Sequence, residues 1–364
     1  MKIAFVDELA FTERHGGSAR TTVELANALR SKGIKTEIFS LANKIKTFNC
    51  LGKLRKIANL REILVFPFIG IFFVPKIEEK FDLVHFSSIT TIFSRKPKIP
   101  CVVTTRCLFS RQTELLSKHL GFPYTIIFNK FTYKIFEFFE KKGLQNADQI
   151  IVYKQALKEF IVENMQIDPN KISVVPLSIN NEKFKKNEIN NKKKNWVLYI
   201  GRGTKPKGFH NLIKISKKIN GKIVAIAPNT PKKYKKIINK LDNWKLYGKV
   251  PYDKAIEILG QSKIFVMLSL SETGPRVTLE ALASGLPIVC TPEGSAGVVK
   301  NKKNGYVIKP DNVDQFVRKI NFLLSNNKIR KKIAQNNMVK AKELTAQNRA
   351  EKVIKVYKKS FQIL

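Results

Sequence analysis

Acidic residues are scarce in this chain. Aspartate and glutamate number 28 against 67 lysines and arginines, a formal charge of +39. A surplus of that size draws polyanions: nucleic acid, anionic lipid or phosphate-bearing substrates. The bland reading is a lysine-rich composition carried on a solvated surface. No zinc-finger, RNP or basic-zipper pattern accompanies the charge, so nucleic acid is an unfavoured partner. Cysteine is rare too, with four residues at Cys50, Cys101, Cys107 and Cys290. None forms a CxxC pair and no histidine stands at a zinc-finger distance. They read as reduced, mostly buried thiols of a cytosolic protein. No apolar run is long enough to cross a bilayer. The opening MKIAFVDE reads as a short strand, because Asp7 and Glu8 interrupt it too early for a signal peptide. The first loop, HGGSAR, lacks the GxGxxG turn that an NAD-dependent oxidoreductase needs in its βαβ unit.

What is present is a regular alternation of strands and helices. At 364 residues and 43% hydrophobic content, the chain has material for two cores without disulfides or metals. KIAFV is a strand, residues 19–31 have a broad apolar helical face, Gly33 ends that helix, and IKTEIFS is a strand again. This is a βαβ unit and predicts a parallel sheet. FDLVHFSS, IPCVVTTRC, ADQIIVYK and KISVVPLS extend it. The polar, lysine-rich KKNEINNKKKN (185–195) reads as a linker. After it WVLYI, GKIVAIAP, NWKLYGKV, KIFVMLSL, LPIVCTP and GYVIKP repeat the alternation, followed by a helical segment over 312–364. The expected organisation is a first domain over 1–184, a linker over 185–195 and a second domain over 196–345. The fold class is α/β, with two Rossmann-like domains facing across a cleft. Two segments fit less simply. ILVFPFIGIFFVP (63–75) is almost wholly apolar, and FPYTIIFNKFTYKIFEFFEKK (122–142) mixes aromatics with lysines. Each is either buried in a core or laid in a membrane interface.

The chemistry concentrates in SETGPRVTLEALASGLP (271–287), where a basic chain places two carboxylates, Glu272 and Glu280. Pro275 suits a first helical turn and Gly285 an end, which predicts a helix over 275–284. Thr273 and Gly274 form the turn that enters it. Unpaired backbone N–H groups would then stand at the carboxyl end of a parallel strand, where ligands bind in open α/β sheets. A carboxylate accepts two hydrogen bonds from a cis-diol, as in a ribose or a sugar. The structural alternative is that Glu272 caps the helix and Glu280 pairs with a lysine.

Glu272 and Glu280, followed by ALASGLPIVCT, resemble the E-x7-E signature of retaining glycosyltransferases, especially glycosyltransferase family 4. The resemblance covers most of the chain. YIGRGTKPKGFHNLI (199–213), the pair Gly16-Gly17, ADQIIVYKQALKEFI and NKKNGYVIKP all resemble family segments. It implies the GT-B architecture and a C-terminal helix, 346–364, packed back on the first domain. It assigns Arg202 and Lys207 to the donor diphosphate, whose growing charge fixed cations stabilise. It assigns Glu280 to the ribose, and Glu272 with the N–H groups that follow it, over Thr273, Gly274 and the turn at Pro275 (which has no N–H of its own), to the donor sugar. Gly16 and Gly17 would let the first helix approach the diphosphate or sugar. The alternatives are exposed charges at Arg202 and Lys207 and a plain flexible turn at the glycine pair.

The chain departs from the family in places. Where a histidine usually follows the strand matching CVVTTR, it has Thr105 and Arg106, and Arg106 becomes a catalytic candidate there. His85 reads as a structural histidine. Arg276 stands where the family has a glycine–aromatic–glycine turn, facing an anionic sugar, a phosphate or simply solvent. Ser178-Ile179-Asn180 replaces a glycine–valine–aspartate. No DxD motif occurs, so the resemblance implies a site in which Arg202, Lys207 and helix N-termini stand in for a metal. The expected activity is hexosyl-type transfer from a nucleotide diphosphate sugar, with retention, no metal and no cofactor. The acceptor is a glycan, a lipid-linked molecule or a protein. The charge and the two apolar segments point to peripheral contact with an anionic membrane on its cytoplasmic face. Three rivals stand beside this reading: a nucleotide-sugar epimerase of the same fold, a nonenzymatic polyanion-binding protein, and an inactive homologue.

Overall fold

The computed structural model describes residues 1–7, 17–40, 74–87, 95–120, 130–187 and 193–362. They divide into two compact units. One draws on Met1–Glu114, Thr125–Leu177 and Ala346–Leu364, the other on Leu115–Tyr124 and Ser178–Thr345. Gly16, the apolar run up to residue 73 and residues 122–129 lie outside the described residues.

The first unit is built on a six-stranded sheet in the order β2-β1-β3-β4-β5-β6. Its strands are β1 (Lys2–Asp7), β2 (Lys35–Ser40), β3 (Leu83–Phe86), β4 (Cys101–Thr105), β5 (Gln149–Val152) and β6 (Ile172–Val174). Every pairing is parallel. Side chains alternate across a strand, so each strand serves two cores. Ala4, Val6, Val84, Phe86, Val103, Ile150 and Val152 face one way, against Leu157, Ile161 and Met165 of the helix Gln155–Met165. Ile3, Phe5, Leu83, Val102 and Ile151 face the other. There they meet Leu25 and Leu29 of α1 (Gly17–Arg30) and Val353 and Tyr357 of the last helix, Ala346–Phe361. The last helix in sequence is thus part of the first unit's core.

Between these lie α2 (Phe109–Leu120) and α3 (Lys130–Asn146); the helix Gln155–Met165 is α4. Buried Glu140 of α3 accepts from the backbone N–H of Ser110 at 3.2 Å and from its hydroxyl at 2.6 Å, and also from the N–H of Phe109. A carboxylate from one helix thereby satisfies the free donors at the start of another.

The second unit repeats the plan in the order β12-β11-β10-β7-β8-β9, again wholly parallel. The strands are β7 (Trp196–Ile200), β8 (Lys222–Ile226), β9 (Trp244–Tyr247), β10 (Ile264–Met267), β11 (Ile288–Cys290) and β12 (Gly305–Val307). The helices are α5 (Phe209–Ser216), α6 (Lys232–Ile238), α7 (Tyr252–Gln261), α8 (Arg276–Ala283), α9 (Val313–Ser325) and α10 (Asn327–Glu343); Ala346–Phe361 is α11. From β7 the chain runs outward through β8 and β9, then returns to β10 on the other side of β7. That reversal is a topological switch point, the place where open α/β sheets bind ligands at their carboxyl edge.

Local boundaries differ from expectation in two places. Helix α8 starts at Arg276, because Pro275 is its N-cap, with φ −71° and ψ 100°. An extended ψ at the proline delays the first helical residue by one. The 3-10 turn Asn181–Asn187 takes up the first residues of the polar segment expected to be linker. Among the described residues no helix is long and apolar enough to cross a membrane. Cys101 and Cys290 are buried and free, with burial pushing both thiols up; Cys107 is half-buried.

Candidate active site

The loops after β7 and β10 meet at the second unit's switch point. Tyr199, near the end of β7, is fully buried. Its hydroxyl lies 3.0 Å from the Arg202 carbonyl and 3.2 Å from the Lys207 carbonyl, so one proton serves both ends of the loop. Burial, then the nearby Glu272 carboxylate, pushes this phenol well up, which keeps it a donor. Gly208 ends the loop at φ +67°, and a Cβ there would stand 1.9 Å from the Leu268 carbonyl oxygen. Only glycine lets the loop come this close to the end of β10. A Cβ on Gly203 would likewise lie 2.1 Å from the Thr230 hydroxyl. The close approaches that these glycines permit in the described structure are therefore internal ones. The Leu270 N–H donates to the Pro206 carbonyl at 2.9 Å and joins the two loops directly.

This join brings Lys207 onto Glu272. The ammonium is 2.8 Å from Glu272 Oε1 and 3.3 Å from the Ser271 carbonyl, and the two side chains are only 18% and 10% exposed. The Ser269 hydroxyl donates to the same Oε1 at 2.7 Å. Charge-assisted bonds of this length in a half-buried setting hold a carboxylate in one orientation. Glu272 is therefore held from two sides, by a lysine and by a serine hydroxyl. Ser269 is held in turn: the Thr291 hydroxyl donates to its carbonyl at 2.6 Å and receives the Gly294 N–H at 3.0 Å.

One turn inside α8, Glu280 is buried at 8% exposure, and the Tyr252 hydroxyl lies 3.2 Å from its Oε1. Pro275 is buried, Gly274 and Arg276 are half-buried, and Thr273 and Arg202 are exposed. The structure therefore gathers Arg202, Lys207, Glu272, Thr273, Gly274, Pro275, Arg276 and Glu280 on the carboxyl side of β7 and β10 and the start of α8. Ser269 and Tyr252 belong with them and were not picked out from the sequence. The only signal for Ser269 is a small polar residue inside an apolar run, and Tyr252 carries none. Among the described residues no three His, Cys, Asp or Glu side chains cluster to hold a metal ion.

Arg106, Gly17 and His85 lie in the first unit. Gly17 is the first residue of α1. Arg106 follows β4, and its guanidinium donates to Asp7 Oδ2 at 2.8 Å and lies 3.0 Å from the Thr22 hydroxyl. That hydroxyl donates to the same Asp7 oxygen at 2.5 Å. Arg106 is thus a member of an ion pair that braces the ends of β1 and β4. Arg349 of α11 reaches the same neighbourhood. It is buried, donates to the Thr21 carbonyl at 3.3 Å and stacks 5.5 Å from the Tyr153 ring. His85 is buried between the Tyr357 hydroxyl at 2.6 Å and the Thr104 hydroxyl at 2.7 Å. Burial, then the charges of Arg349 and Arg106, lower its pKa to about 3. A neutral imidazole tied to two hydroxyls holds α11 to the sheet, which is a structural role. In the second unit Ser178 is buried, Ile179 N–H donates to the Leu344 carbonyl at 2.8 Å, and Asn180 accepts from the Glu182 N–H at 3.1 Å.

Comparison with known proteins gives concordant results. The family model for glycosyl transferases group 1 matches residues 180–339, and that for Glycosyltransferase Family 4 matches residues 15–183. An uncharacterized glycosyltransferase of Methanocaldococcus jannaschii is 29% identical over 276 residues, covering 70% of this chain and 69% of that protein. A UDP-Gal:alpha-D-GlcNAc-diphosphoundecaprenol alpha-1,3-galactosyltransferase of Escherichia coli is 27% identical, covering 66% and 65%. Among solved structures, a sucrose-phosphate synthase from Thermosynechococcus elongatus superposes over 100% of both chains with a TM-score of 0.76 at 15% identity.

Proposed function

The chain is a GT-B glycosyltransferase resembling family 4, and we propose that it moves a sugar from a nucleotide diphosphate sugar to its acceptor with retention and without a metal. The observation that carries this reading is the pairing of Lys207 with Glu272 across the loops after β7 and β10, beside the buried Glu280 of α8. The Glu280 carboxylate suits a ribose diol. Glu272, oriented by Lys207 and Ser269, suits the hydroxyls of the donor sugar. As the bond between the sugar and the diphosphate breaks, charge grows on the leaving oxygen. Lys207 and the exposed Arg202 are the cations placed to meet it, with the backbone N–H groups that enter α8. The departing diphosphate can take the acceptor's proton on the face that it leaves, which gives retention. The E. coli relative's name specifies UDP-galactose and a diphosphoundecaprenol-linked sugar. For this chain that supports a nucleotide-sugar donor and a lipid-linked acceptor.

The test is donor hydrolysis over a panel of UDP-, GDP- and ADP-sugars, with wild type and Glu280→Gln. Wild type should release the nucleoside diphosphate and free sugar from one donor. The variant, which keeps the shape but loses the charged diol acceptor, should lose ~10-fold or more in donor kcat/KM. If no donor is turned over and calorimetry finds no binding of UDP, GDP or ADP, the reading fails and the polyanion-binding alternative takes its place.

A further inference from the structure

Glu280 is a carboxylate set among apolar neighbours. It is 8% exposed, between Leu279 at 1% and Ala281 at 0%. A carboxylate in such a setting needs hydrogen-bond partners. To receive two vicinal hydroxyls it must also keep its plane fixed, since a carboxylate has about four acceptor directions in that plane and a bidentate contact uses a defined pair. The Tyr252 hydroxyl supplies one such constraint, at 3.2 Å from Oε1. Hydrogen bonds of this kind are often long without ligand and tighten in the complex.

Tyr252 is itself placed. It is the first residue of α7, entered through Pro251 at φ −56° and ψ 150°, so its backbone is set by the cap. The Lys183 ammonium stands 5.1 Å from the centroid of its ring. Lys183 lies on the 3-10 turn Asn181–Asn187. That turn is anchored by buried Phe184 and by the Asn181 side-chain amide donating to the Ala341 carbonyl at 2.8 Å, and just before it the Ile179 N–H donates to the Leu344 carbonyl. A cation over a tyrosine face holds the ring without occupying its hydroxyl.

We propose that Tyr252 is a positioning residue that makes Glu280 selective for a ribose diol, and that Lys183 holds Tyr252 in place; this rests on the glycosyltransferase reading of Glu280. Tyr252 need not touch the reacting atoms. It acts by fixing which Glu280 lone pairs face the 2′- and 3′-hydroxyls of a nucleoside diphosphate. Its removal should therefore weaken recognition of the diol and leave the contacts to diphosphate and base intact.

The experiment is calorimetric titration of wild type, Tyr252→Phe and Lys183→Met. The ligands are whichever of UDP, GDP and ADP binds wild type, and its 2′-deoxy counterpart, with thermal unfolding of each protein alongside. The expected result is a wild-type preference for the ribonucleotide that falls about tenfold in Tyr252→Phe, with deoxy affinity unchanged. Lys183→Met should lower the preference by about two- to threefold. An unaltered preference in Tyr252→Phe overturns the proposal. So does an equal weakening of both ligands, which marks Tyr252 as merely structural. If wild type binds none of the three nucleotides, the glycosyltransferase reading of Glu280 fails first. If wild type binds but does not prefer ribose, only the inference fails.

Discussion

At the scale of single residues, the least expected feature is how much of the polar chemistry is internal. Arg106, read from the sequence as a catalytic candidate, is held by Asp7 and Thr22, and His85 is locked between Tyr357 and Thr104. His85 leads to a pH prediction. Its pKa is lowered to about 3 in the folded chain, against 6.5 for an unperturbed histidine. Between those values the unfolded chain binds a proton that the native chain refuses. The stability that His85 contributes is therefore complete above pH 6.5 and falls as pH drops toward 3, by ~1.4 kcal/mol per pH unit for one proton. Denaturant unfolding of wild type and His85→Gln at pH 7, 6 and 5 checks this. The stability gap between them should narrow steadily as pH falls; a gap that stays constant contradicts the shift. The residues of the proposed donor site were largely legible because most are charged, glycine or proline positions in a recognisable order. Ser269 and Tyr252 were not legible. Each matters through a partner in another part of the sequence, and a hydrogen bond across the fold leaves no local pattern.

At the scale of elements, the strands were the easiest to read. A parallel sheet covered on both faces forces continuous apolar runs such as KIAFV and IFVM, bounded by loops. Helix ends were harder, since Pro275 could be read as the first helical residue and its ψ makes it the cap. Helix α3 shows why the aromatic segment 122–142 supported two readings at once. Phe136 is buried at 4%, whereas Phe138 is 61% exposed. Lys134 and Lys142 are exposed four residues to either side of it, on the same stripe. An exposed ring between two lysines fits a lipid interface, with the ring among acyl chains and the ammonium groups at anionic headgroups. Flotation with vesicles rich in phosphatidylserine should recover wild type at low salt. Phe138→Ser should cut the bound fraction severalfold with little change in melting temperature, because the ring is largely exposed and meets the neighbouring Phe139 ring edge-on at 5.9 Å. If wild type stays with the soluble fraction at low salt, membrane docking through α3 is wrong, and a glycan or protein acceptor becomes the better reading.

At the scale of the whole molecule, the organising fact is that the chain ends in the unit where it began. Helix α11 places Ala350, Val353, Val356 and Tyr357 against Ile3, Phe5, Leu25 and Leu29. The amphipathic spacing of those four residues is visible in the sequence. Which core they complete is not, because the same stripe would suit either sheet, and only the family resemblance suggested the first. Removing Ala346–Leu364 would uncover one face of the β1–β3–β4–β5 sheet and leave His85 without its tyrosine partner. Loss of the fully buried Tyr357 alone should cost about 3–5 kcal/mol, a large share of a domain's total stability. The chain truncated after Thr345 should therefore lose slow hydrogen exchange in β1, β3 and α1. It should keep that protection in β7, β8 and β10, whose core cluster includes no residue of α11 among the described residues. Nucleotide binding should persist as well, since Lys207, Glu272, Tyr252 and Glu280 all belong to the second unit. If the truncated chain protects β1 and α1 as the full chain does, α11 is an accessory strap and not part of that core. If protection collapses in both units together, their stabilities are coupled, and donor binding should then disappear with the first unit's fold.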